Sequence, residues 1–207
     1  MVDAGDFTVL QSEDHYRGWA IDVRTDTVRM PDGSTGRRDV IAHPGAVGVV
    51  ALDEDERVVT VFQYRHPVRQ FLRELPAGLL DVDGEPALAA ARRELYEEAS
   101  ITAGRWDVLV DVHTSPGMTD EAIRIYLARE LAPVPEADRF APEHEEVSMS
   151  VERIPLDDLV RQALAGELTN AAAVAGVLAA HAARADGWRQ LRPATAAWPA
   201  RPQAAAG

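Results

Sequence analysis

The sequence predicts a mixed α+β protein, a sheet with helices packed on its faces, on three observations. Runs rich in β-branched residues bounded by turn signals recur along the chain; one stretch, 86–99, switches to helical spacing; and two further helical stretches follow late, between 156 and 183. At 207 residues the chain exceeds one typical domain and falls short of two, so one domain with embellishments is expected.

In chain order, Ile21, Val23, Val28 and Met30 surround Thr25-Asp26 and are followed by Pro31-Asp32-Gly33-Ser34, which reads as a small antiparallel meander turning at Thr25-Asp26 and again at Pro31–Ser34. Ala46–Leu52 and Arg57–Tyr64, separated by the acidic turn Asp53–Glu56, read as core strands paired with each other. From Pro86 to Ala99 the apolar residues Leu88, Ala91, Leu95 and Ala99 fall on one helical face. Strands are expected at Trp106–Val112, Glu121–Arg129 and Val147–Ile154, and helices at Leu156–Leu168 and Thr169–Ala183. Beyond Asp186 the prolines and the Ala/Gly end predict an irregular or disordered tail, in which Arg189, Arg192 and Arg201 have no evident partner.

Composition excludes several classes of function. The net charge of −13 disfavours a nucleic-acid partner, because so negative a surface repels phosphate backbones. The absence of cysteine rules out disulfides, thiolate metal sites and a thiol nucleophile, so any metal must be held by oxygen or imidazole. No window nears the roughly 20 apolar residues of a membrane span, and the first residues carry neither a basic nor an apolar leader pattern. A cytoplasmic protein with no membrane partner is the expectation.

The chemistry concentrates in Gly78–Ile101. At about 100° per residue, Glu94, Glu97 and Glu98 form one stripe turned away from Leu88 and Leu95. Three carboxylates on one stripe repel, and Arg93, placed to pair with Glu97 at i,i+4, cannot neutralise them all. A hard divalent cation can, and Mg²⁺ and Mn²⁺ prefer oxygen ligands of this kind.

At these residues the sequence resembles the Nudix hydrolase family. Glu85, seven intervening residues, and then Arg93-Glu94-Leu95-Tyr96-Glu97-Glu98-Ala99 with Ile101 fit the family box, Gly-x5-Glu-x7-Arg-Glu-U-x-Glu-Glu-x-Gly-U, where U is aliphatic. Two positions depart from it: six residues rather than five separate Gly78 from Glu85, and Ser100 stands where the box has glycine, which is expected to close the helix with its backbone outside the left-handed region. The resemblance implies an α/β/α sandwich with a mixed sheet and an N-terminal antiparallel meander. It implies metal ligation by Glu94, Glu98 and Glu97 with the Ala77 carbonyl nearby, and Arg93 orienting Glu97.

Outside the box, Gln63-Tyr64-Arg65, Arg73-Glu74-Leu75-Pro76-Ala77-Gly78, Ser115-Pro116-Gly117 followed by an acidic residue, Gly36–Val40 and His43–Val47 are similar to the branch of the family that cleaves ADP-ribose. That likeness implies hydrolysis to AMP and ribose 5-phosphate, with the base for the attacking water at Glu143 in the loop Phe140–Glu146; Glu145, Glu146 and His144 are the other candidates. Arg65, Arg38 and Arg37 are candidate phosphate clamps, because an acidic enzyme needs cations to admit a diphosphate. Glu74, Pro116 and Gly117 are carried over as substrate contacts. Trp19, Tyr64 and Phe71 are the candidate partners for adenine. A homodimer is implied, residues 1–45 forming a β-rich subdomain exchanged between protomers, 46–185 the hydrolase domain and 186–207 the tail. Another nucleoside diphosphate sugar, an oxidised nucleotide, or a non-catalytic ligand sensor are the alternative readings.

Overall fold

The computed structural model describes residues 6–19, 21–140 and 149–201. Its elements are β1 (Thr8–Arg17), β2 (Asp22–Arg29), β3 (Thr35–Ala42), β4 (Ala46–Ala51), β5 (Arg57–Arg65), β6 (Gln70–Glu74), β7 (Ala77–Leu79), α1 (Ala87–Ala99), β8 (Ile101–His113), β9 (Ala122–Pro133), β10 (Ser150–Pro155), α2 (Leu156–Ala165), α3 (Ala171–Ala185) and β11 (Arg192–Pro193). The mixed α+β class is the expected one. The strands form a mixed sheet in the order β11-β8-β9-β4-β7 and two three-stranded sheets, β1-β2-β3 and β10-β5-β6.

The central strand β4 is buried along its whole length. Its alternating side chains supply both layers of core: Ala46 and Val50 join Leu159, Ala173 and Val177 of α2 and α3, while Val47, Val49 and Ala51 join Ala90, Ala91 and Leu95 of α1. The apolar stripe read along α1 is the face that meets this second layer. The product is an α/β/α sandwich.

Two local expectations are corrected. Thr25-Asp26 is not a turn but the buried middle of β2, because each side chain finds a partner on a neighbouring strand: Ser12 Oγ donates to Asp26 at 2.7 Å and Thr25 Oγ1 to Asp39 at 2.7 Å. The turn at Pro31–Ser34 does join β2 to β3. Nor do β4 and β5 pair as strands. Among the described residues the bridge Leu52 to Val58 forms just beyond the end of β4, and both edges of β4 are taken by β7, antiparallel, and β9, parallel, which leaves β5 to pair with β10 and β6.

The segment after Asp186 has little regular structure within its described part, yet it is packed. Trp188 and Leu191 lie against the core beneath α3, Ala194, Ala196 and Trp198 against the core beneath α1, and β11 pairs with the edge of β8. Arg124, only 2% exposed, clamps it by donating to the carbonyls of Ala196 and Ala197 at 2.6 and 2.9 Å and lying 4.9 Å from the Trp198 ring. Burial alone would raise the Asp111 carboxyl, but the hydrogen bonds from Arg124 and Arg192 win and hold it below the usual range. Arg192 thus has a partner, and Arg189 has one in Asp186.

Helix α1 closes differently from expectation. Ser100 adopts φ 51 and ψ 44, inside the left-handed region, and its N–H still caps the Leu95 and Tyr96 carbonyls. A residue with a Cβ is strained there by about 1 kcal/mol. Ser100→Gly is therefore expected to stabilise the fold by about 0.5–1 kcal/mol, read as a higher urea midpoint at unchanged slope.

Candidate active site

Pro86, in an extended conformation, stands at the N-cap of helix α1, where its missing N–H costs nothing, and the last two turns of the helix carry the acidic stripe. One guanidinium organises that stripe. Arg93 donates Nε and Nη2 to Glu85 at 3.2 and 3.1 Å, and Nη1 to both Glu94 at 2.7 Å and Glu97 at 3.1 Å. The hydrogen bonds to Glu85 first, then the charges of its other partners, push the Arg93 pKa up. One positive charge thus faces three carboxylates, in a cleft where Glu85 and Glu94 are largely covered.

Burial raises the Glu94 carboxyl above the usual range; Arg93 opposes this, and Glu97 and Asp81 add to it. A raised value in the folded state means that the fold binds this proton more tightly than the open chain does. That stabilisation is present at low pH and is lost as pH rises through the folded value. An ionised Glu94 at neutral pH is a cost that a bound cation would offset.

Glu98 reaches the turn ahead of β7, where its Oε2 accepts from Ala77 N at 3.0 Å. The turn Leu75–Gly78 thereby docks on the helix. Gly78 has a steric reason to be glycine: a β-carbon there would overlap the Glu94 carboxylate. The extra residue before Glu85 leaves this contact intact, because it is taken up in the loop 80–84, where Glu85 N bonds back to the Val82 carbonyl at 3.1 Å.

The donor set, carboxylates and backbone oxygen with net negative charge, suits a hard divalent cation. Glu94, Glu97, Glu98 and the Ala77 carbonyl are the groups able to hold one. As they stand, no three acidic or imidazole side chains among the described residues converge closely enough to do so. Glu94 and Glu97 are instead held on Arg93.

The remaining predicted residues fall into separate places. Arg38, Pro116 and Gly117 line one cavity of about 380 Å³, together with His113 and Asp120. Trp19, 94% exposed, lines a second cavity of about 400 Å³ with His43, Leu80, Asp81 and Asp83, beside the loop that carries Glu85. Arg37 is exposed and faces Glu13 at 3.8 Å. Arg65 and Glu74 meet each other: the guanidinium donates Nε and Nη2 to the 2% exposed Glu74 at 3.0 and 2.6 Å, and Gln63 adds a third bond. A phosphate clamp at Arg65 would compete with that buried carboxylate. Tyr64 and Phe71 are cross-strand neighbours, their rings 5.5 Å apart. Glu143, with His144, Glu145 and Glu146, lies outside the described residues. The sequence assigned no role to His43 or Glu121, which face each other at 3.5 Å beside these cavities; both fall within segments it singled out only by likeness, His43–Val47 and the acidic stretch after Ser115-Pro116-Gly117.

Residues 42–174 match the family model described as the NUDIX domain, and the chain belongs to the Nudix hydrolase family. The family generally uses divalent metal ions. The chain is 45% identical over 199 residues to the ADP-ribose pyrophosphatase of Mycobacterium tuberculosis, covering 96% of this chain and 94% of that protein. It is 35% identical over 152 residues to the ADP-ribose pyrophosphatase of Bacillus subtilis, covering 73% of this chain and 80% of the relative. A solved structure titled as an ADP compounds hydrolase superposes with a TM-score of 0.72 at 22% identity, over 87% of this chain and 96% of that one, and shows the shared fold.

Because Glu94 rests on Gly78, Gly78→Ala is expected to displace the carboxylate and lower turnover at least about tenfold, with a thermal midpoint within a few degrees of wild type. Steady-state kinetics beside a melting curve test this, and full activity in the variant would show that Glu94 does not need its observed seat.

Proposed function

We propose that the chain hydrolyses the diphosphate bond of ADP-ribose to AMP and ribose 5-phosphate with Mg²⁺ or Mn²⁺, in the cytoplasm. The observation that carries this is the likeness, over nearly the whole chain, to a protein named for that activity, since it includes the segments outside the box where substrate selection lies. Glu94, Glu98, Glu97 and the Ala77 carbonyl would hold the metal, which when bound lowers the pKa of water and neutralises charge on the diphosphate. Arg93 keeps Glu85, Glu94 and Glu97 in one place until the cation arrives. Glu143 takes the proton from the attacking water. Arg38 and Arg37 meet the phosphates, Arg65 does so on leaving Glu74, Trp19 stacks on adenine, and Glu74, Pro116 and Gly117 shape the remaining contacts.

A homodimer is part of the same proposal, with residues 1–45 exchanged between protomers, 46–185 forming the hydrolase domain and 186–207 the tail. Supporting it, every residue of β1 is exposed, as are Phe7, Val9, Leu10, Tyr16 and Trp19, an apolar surface that the protomer itself leaves uncovered. Light scattering is expected to give twice 22.5 kDa; the monomer mass would remove the exchange.

The deciding measurement is a substrate panel of ADP-ribose, other nucleotide sugars, dinucleoside polyphosphates and oxidised dGTP, with products identified in Mg²⁺ and in Mn²⁺. ADP-ribose is expected to give the highest kcat/KM, and a clear preference for another compound would replace the substrate while leaving the chemistry. On the preferred substrate, Glu98→Gln is expected to lower turnover by at least about a hundredfold with the fold intact. Glu143→Gln is expected to lower kcat with little change in KM; a rise in KM alone would make Glu143 a binding residue.

A further inference from the structure

Between the two cavities runs a wall made by residues that no part of the proposed chemistry uses. His43 lines the cavity beside the box loop, and Asp120 lines the cavity that holds Arg38, Pro116 and Gly117. The two are directly joined, His43 N donating to Asp120 Oδ1 at 2.9 Å. The imidazole continues the wall. Its Nδ1 accepts from Gly45 N at 3.1 Å, so the ring proton sits on Nε2, which faces Glu121 Oε1 at 3.5 Å. Glu121 is held in turn by the Thr114 hydroxyl and, through its N–H, by Thr119 Oγ1 at 3.1 Å.

Each side of this pair is tied to one of the substrate-side loops. Glu121, Thr119 and Thr114 belong to the loop between β8 and β9 that contains Pro116 and Gly117. That loop is stitched to the end of β3 by Ile41 N to the Met118 carbonyl at 2.8 Å and Asp120 N to the Ile41 carbonyl at 3.3 Å. On the other side, Gly45, at φ 88, accepts from Leu80 N at 3.0 Å, and Leu80 opens the loop that carries Asp81, Asp83 and Glu85 to the guanidinium of Arg93. The side chains of His43 and Glu121 are mostly covered, so their interaction is only weakly screened.

We propose that His43 and Glu121 are a positioning pair that fixes the separation of the two cavities, and with it the placement of a two-ended diphosphate against the carboxylates of α1. This rests on the reading of the substrate as a nucleoside diphosphate sugar. Binding energy gathered at the two ends of such a substrate can orient the central diphosphate only if the two subsites keep a fixed distance, and a displacement of about 1 Å costs up to about a hundredfold in rate.

The test uses the full chain and the compound that the wild type turns over best in the panel. His43→Asn keeps an acceptor for the Gly45 N–H, because an asparagine side chain accepts from the backbone two residues on, but cannot reach Glu121. It is expected to lower kcat about tenfold or more, with KM within about threefold and the thermal midpoint within a few degrees of wild type. Glu121→Ala is expected to do the same, and the double variant to be no worse than the more damaged single one, because both remove one interaction. Wild-type kcat in His43→Asn, additive losses in the double variant, or a raised KM at unchanged kcat would overturn the pair, the last by making His43 a substrate contact. A wild type that cleaves a diphosphate other than ADP-ribose defeats the functional reading alone, whereas one inert toward every compound defeats both.

Discussion

One guanidinium shared by three carboxylates is the constraint around which the site is built. Arg93 cannot be released without leaving Glu85, Glu94 and Glu97 facing one another in a half-covered cleft, and like charges at such spacing repel more strongly as water is excluded. The shared bonds also fix geometry. Glu85 belongs to the loop ahead of the helix and Glu94 to the helix itself, so Arg93 fastens loop to helix. Glu94 in turn presses on Gly78, and Glu98 holds the Ala77 N–H. Loop, helix and β7 are thereby one unit before any ligand arrives, and the surplus negative charge gives that unit a use for a cation.

What keeps this unit in place is the central sheet. β7 is anchored on β4, which contributes to both cores, so α1 on one side and α2 with α3 on the other are registered against the same six residues. The packed segment after Asp186 adds a cover over the outer edge of β8, held by Arg124. Arrangements of this kind place a rigid layer beneath connecting loops, which is where binding residues are generally carried.

The legibility of the sequence followed the range of the forces. Helix α1, its apolar face and the acidic stripe could be read directly, because a helix is defined by contacts three and four residues apart and the pattern is written in adjacent letters. Thr25-Asp26 misled for the opposite reason. Polar residues of that type terminate strands when they have no partners, and here Ser12 and Asp39 arrive from other strands to satisfy them. Ser100 shows a third case, in which the demand of the helix end for a cap outweighed the intrinsic cost of a left-handed backbone.

Taken alone, the sequence determined the class of fold, the residues of the acidic stripe and the family, because each is carried by composition or by spacing within a few turns of chain. Only the tertiary structure decided which sheet β5 joins, that Arg65 is bonded to Glu74, that Arg38 shares a cavity with Pro116 and Gly117 while Trp19 lies in another, and that Asp111 and Arg124 secure the last segment. Those outcomes depend on groups tens of residues apart reaching one place. Nothing in either local stretch encodes the meeting, since it is the burial of the common core that brings them together.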